Sequence, residues 1–91
     1  MSAPPDRPLL LVEWLDSAQP MPGWRFLDDT PPLDVVRCVS VGWLVAKSDQ
    51  VWMLAPNLGC CGEGEDTQAS GFIRIPALAV VRSVSLLEAE A

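Results

Sequence analysis

Histidine is missing from this 91-residue chain, and its absence removes the commonest general base, the commonest zinc ligand and every Ser-His or Cys-His nucleophile pair. Most enzyme classes fall on that ground, and no catalytic residue is assigned. Basic residues are scarce as well: Arg7, Arg25, Arg37, Lys47, Arg74 and Arg82 are six against 12 carboxylates, which leaves a net charge of -6. That sign is wrong for gripping a phosphate backbone, so no nucleic-acid partner is expected. Folding can still gather two or three of the scattered cations into a local anion pocket. Long apolar runs are also absent. The segment MSAPPDRPLLLVEW holds one acid and one base before an apolar run too short for a signal peptide or a bilayer span, so no membrane association and a cytoplasmic location are expected. Three cysteines, Cys38, Cys60 and Cys61, are an odd number, and in a reducing compartment they form no disulfide framework.

What the chain does have is apolar material: 49% of it is hydrophobic, with four tryptophans. A single domain of this size buries only roughly 60 to 65% of the surface it exposes when unfolded. Surplus apolar surface finds cover between subunits or against a partner, and a homo-oligomer is expected.

Pro4, Pro5 and Pro8 make residues 1 to 8 a disordered or extended lead-in, with one domain over 9–88 and a tail at 89–91. Leu9 to Trp14 reads as a first strand, apolar at nearly every position except Glu13. From Leu15 to Asp34, four prolines with Gly23, Asp28 and Asp29 forbid a ladder and predict a long loop, in which Trp24 and Phe26 anchor an extended piece to the body of the domain. Val35 to Lys47 is the longest strand-like run. At about 3.3 Å per residue it outreaches a domain of this size, so it must bend, with Gly42 as the natural place. Its bulky odd positions, Val39, Val41, Trp43 and Val45, are the expected core face, and its even positions are small.

A tight polar turn at Lys47-Ser48-Asp49-Gln50 leads into Val51 to Ala55, an antiparallel hairpin. Leu58 to Gln68 is a second loop. Ser70 to Ile75 resumes a strand that Pro76 stops. Ala77 to Ala79 leaves room for one helical turn before a last strand, Val80 to Leu87, where Arg82 falls on an otherwise apolar face and predicts a bulge or a rim position. The expected fold is all-β: a small five-stranded barrel, with a long loop between the first and second strands, that resembles the SH3-like and Sm-like barrels.

Val12-Glu13-Trp14 with Asp16, then Gly23-Trp24, the stretch Cys38 to Leu44, Leu54-Ala55-Pro56 and Ile73-Arg74-Ile75-Pro76 together resemble a type of small uncharacterised protein of tailed bacteriophages and prophages. The likeness covers nearly the whole domain. It implies a phage-encoded accessory protein in the cytoplasm of a bacterial host, where small barrels act by binding a host protein or sequestering a small signal molecule.

The remaining constellations read as structural. Cys60-Cys61 between Gly59 and Gly62 lack the spacing that wraps a backbone around zinc, and are read as a tight turn. Glu63, Glu65 and Asp66 lack the alternation of a calcium loop. Asp28, Asp29 and Asp34 serve turns and caps among prolines. No metal site and no cofactor follow. Trp24, with Gln68 and Arg74, is the candidate ligand or partner site, for an anionic or aromatic group. Three roles stay open: a non-enzymatic module that binds a host protein, a binder that sequesters an anionic or nucleotide-like signal, and a minor virion protein.

Overall fold

The computed structural model describes residues 7–17, 20–59 and 67–87. They form an all-β structure of two antiparallel sheets. The larger is built from β1 (Leu9–Asp16), β2 (Val36–Lys47), β3 (Val51–Ala55), β6 (Ile73–Pro76) and β7 (Val80–Ser85), in the order β6-β3-β2-β1-β7. The smaller pairs β4 (Asn57–Gly59) with β5 (Gln68–Ser70). Two short 3-10 turns, Leu27–Asp29 and Ala77–Ala79, complete the elements.

The strand β2 serves two ladders in succession, with a register irregularity between Leu44 and Ala46. Its first part, from Val36 to Trp43, pairs with β1, and its last part, from Trp43 to Lys47, pairs with β3. The two ladders overlap at Trp43, next to Gly42. A Cβ at Gly42 would lie 3.0 Å from the carbonyl oxygen of Ala55, so only glycine lets the backbone of β3 approach there. The following turn is closed by Ser48, whose amide donates to the carbonyl of Val51 at 2.8 Å while its hydroxyl accepts from the amides of Gln50 and Val51.

The strands β3 and β4 are one run interrupted at Pro56, and β5 and β6 another interrupted at Gly71 and Phe72. Proline removes a ladder donor, and Gly71 opposite it adopts φ +79, with Pro56 Cγ only 2.9 Å from where a Cβ would sit. The hairpin is thereby kinked into a sheet part and a ribbon part. The expected strand Ser70 to Ile75 is cut in two, and the ends of the expected loop Leu58 to Gln68 are ribbon.

Two further expectations are corrected. The sheet is open and no barrel closes: β6 is four residues long and ends at Pro76, and among the described residues no ladder joins it to β7. The core face of β2 is the small one. Val39 and Val41 are 62% and 49% exposed, whereas Gly42, Ser40 and Cys38 lie opposite Leu10, Val12 and Trp14 of β1. The bulky side chains of β1 fill the interior, which leaves room only for small ones across from them, and Ser40 Oγ accepts from Trp14 Nε1 at 3.0 Å. Leu10, Val12, Leu54 and Ile75 form the buried cluster, with Trp14, Leu44, Trp52, Ile73 and Val80 packed against it. Trp43, expected in the core, is half-buried on the other face. Its Nε1 is buried and finds no acceptor.

The irregularity anticipated near Arg82 is present. Arg82 pairs with Glu13 and Val80 with Trp14, so Val81 is the extra residue of a bulge. The Ala77–Ala79 turn stands where one helical turn was expected.

Candidate binding surface

After β1 ends at Asp16, the amide of Ser17 donates to Asp16 Oδ1 at 2.8 Å and the chain leaves the sheet. Pro20, Pro22, Pro31 and Pro32 lack the amide that any ladder would need, and Gly23 takes φ +93, a left-handed conformation that favours glycine. The only regular piece is the Leu27–Asp29 turn, closed by the amide of Asp29 donating to the carbonyl of Phe26 at 2.9 Å. Every described residue from Pro20 to Val35 is exposed. Trp24 and Leu33 are fully so, and Phe26 and Leu27 nearly so. The expected anchoring of Trp24 and Phe26 against the sheet is therefore corrected: the loop is a projecting arm whose largest apolar side chains are almost wholly exposed.

Trp24, Gln68 and Arg74 lie on three different elements. Trp24 sits on the arm, Gln68 on the ribbon strand β5 and Arg74 on β6 opposite Met53. All three are exposed. A fully exposed Trp24 supplies no wall to a pocket shared with the other two. One hollow among the described residues, with a volume of about 250 Å³, is lined instead by Arg7, Val45, Met53, Leu58, Thr67, Ala69 and Phe72. Sequence reasoning missed it because it forms where the kinked hairpin leans back over β2, a placement set by Pro56 and Gly71 together. Its one cation, Arg7, donates from Nη1 to the carbonyl of Val45 at 3.4 Å, a long bond.

On the outer face of β1 and β7, Arg82 Nη2 lies 3.0 Å from Glu13 Oε1. That hydrogen bond outweighs the cost of desolvation and, with the charges of Arg82 and Arg37, holds the Glu13 carboxyl below its ordinary value, and it raises Arg82 in turn. The pair is surrounded by apolar neighbours, Leu11, Val39, Val41 and Val84, on the same face. Lys47 lies over the ring of Trp52, 4.4 Å from its centroid.

Among the described residues no group of three His, Cys, Asp or Glu side chains is placed to hold a metal. Cys60, Cys61, Glu63, Glu65 and Asp66 lie outside the described residues. No described helix is long and apolar enough to cross a membrane, which says nothing of strands. No protein-family model matches the chain, and neither the curated proteins nor the solved structures yield a match.

Proposed function

We propose that this chain is a non-enzymatic phage accessory protein, an SH3-like module that binds a host protein through the arm of residues 20–35 and works as a homo-oligomer. The observation that carries the reading is the arm itself. A segment that exposes Trp24, Phe26, Leu27 and Leu33 together is costly in water and has no internal reason to exist. Tryptophan and phenylalanine are the residues whose burial dominates interface energy, and the prolines around them reduce the entropy lost when the arm is ordered by a partner. The strand order β6-β3-β2-β1-β7, with a 3-10 turn between the two edge strands and a second strand that serves two ladders, supports the SH3-like assignment. The phage origin rests on the sequence resemblance, and the non-enzymatic role on the missing histidine.

Capture of a small anionic ligand is less well supported. The residues first considered for it lie on three separate elements and are all exposed, and the hollow beneath the ribbon offers one guanidinium that already donates to Val45.

The test is capture of the chain from its bacterial host followed by native mass spectrometry, for the wild type and for the double variant Trp24→Ala, Phe26→Ala. A stoichiometric host protein on the wild type, lost from the double variant, is the expected result. A partner retained by the double variant removes the arm from the interface, and a small adduct in place of a protein moves the reading to ligand capture.

A further inference from the structure

Among the described residues the first half of β2 has one side without a ladder partner. The amide of Leu44 donates to the carbonyl of Pro8, and successive residues of a strand point their backbone groups to alternate sides, so the even-numbered residues of β2 are the ones bonded to β1. The odd-numbered residues turn away. At Trp43 that outward side meets β3, but Arg37, Val39 and Val41 lie before β3 begins and find no ladder partner among the described residues. Three amides and three carbonyls therefore stand in a row at a strand edge.

The other two edges of the sheet carry the usual guards against pairing. β6 is short and ends in Pro76, and β7 is broken by the bulge at Val81. The stretch of β2 from Arg37 to Val41 has neither proline nor bulge, and beside its one cation the side chains at the free groups are Val39 and Val41, both substantially exposed. In a chain of net charge -6 this stretch contains no carboxylate, so two copies of it meet without acid facing acid.

We propose that two copies of the chain dimerise by antiparallel pairing of these β2 edges about a two-fold axis at Val39. This deepens the reading of the chain as an oligomeric binding module and rests on it. With Val39 opposite Val39 of the second copy, Arg37 of each copy falls opposite Val41 of the other. All three pairs have the parity of hydrogen-bonded pairs, so every free group of the edge is used, and a shift of the register by two residues leaves some unused. The two Arg37 side chains stay apart at opposite ends of the interface.

The test uses the full chain and four variants. Light scattering during size exclusion, over a hundredfold range of concentration, is expected to find a dimer for the wild type and monomers for Val39→Lys and for Val39→Glu, each placing like charges face to face on the axis. Mixing those two variants is expected to restore a dimer containing one of each, a result that also establishes that both are folded. Val81→Lys, on the β7 edge, is expected to remain dimeric, and Arg37→Ala to remain dimeric as well. Amide exchange at Arg37, Val39 and Val41 of the wild type should be slow when concentrated and fast when diluted. A wild type that is monomeric throughout, a Val39→Lys that stays dimeric, or a mixture that fails to pair overturns the proposal. None of these outcomes decides whether the arm binds a host protein, which the Trp24→Ala, Phe26→Ala comparison reads separately.

Discussion

Gly42 and Glu13 concentrate much of what single residues do in this structure. At Gly42 the carbonyl of Ala55 occupies the space of a side chain, so Gly42→Ala must push β3 away from β2. A loss of about 1 to 3 kcal/mol is expected, as for other overpacked sites, measured by denaturant unfolding. Gly59, where a Cβ would meet only ordinary contacts, is the matched position, and Gly59→Ala is expected to have little effect. Glu13 brings pH into the stability. Its carboxyl is held below the ordinary 4.5 by the hydrogen bond from Arg82. A group whose folded value is depressed stabilises the fold above its unfolded value, and that contribution disappears as pH falls through the folded one. Unfolding followed from about pH 5 to pH 3 should therefore show a steeper loss for the wild type than for Glu13→Gln. Equal slopes would mean that the ion pair does not persist in solution.

Among the elements, the strands were legible and their faces were not. The runs of Val, Ile and Leu bounded by proline, glycine and polar turns gave β1, β2, β3, β6 and β7 to within a few residues, because turn chemistry is local. Which face of β2 points inward depends on what stands across from it. Leu10, Val12 and Trp14 of β1 are large, so the small Gly42, Ser40 and Cys38 must face them, and no reading of β2 alone supplies that. The ribbon was hidden for a similar reason: Pro56 signals the end of a strand, and only the opposed Gly71 turns that end into a kink. The arm is the element whose boundaries were read well and whose attachment was not. Since the side chains of Trp24 and Phe26 are almost wholly exposed, replacing both with alanine should leave the stability of the chain itself within about 0.5 kcal/mol while removing the partner. A large loss of stability on that substitution would place the arm against the sheet.

As a whole molecule the chain is drawn out. Its extents are 62 × 27 × 27 Å and its radius of gyration is 17.8 Å, where a compact domain of this length has about 12 Å. Its buried apolar side chains are Leu10, Val12, Leu54, Ala55 and Ile75 among the described residues, a small core for 91 residues. The proposed dimer would make stability depend on association, and that has a thermodynamic signature. The melting temperature of the wild type should climb with protein concentration, whereas that of Val39→Lys should not. A concentration-independent wild type would mean that the small core suffices.

The position of β1 in the middle of the sheet has a kinetic consequence. The pairing of β2 with β3 closes through a turn of a few residues, and β6 joins β3 through the ribbon, so these strands can assemble from neighbouring sequence. β1 cannot: it lies between β2, across the whole arm, and β7, with Glu13 and Arg82 separated by 69 positions. Closing such long loops before any contact rewards them makes the docking of β1 the slow event, and the rate should respond to the sequence distance of these ladders more than to the strength of the hairpin. In chain order β1 precedes both of its partners, and only β2 can pair with it until Val80–Ser85 has been added. For that interval one edge of a hydrophobic strand stays open, and a chaperone that shields it is of more use to this protein than one that unfolds mistakes afterwards.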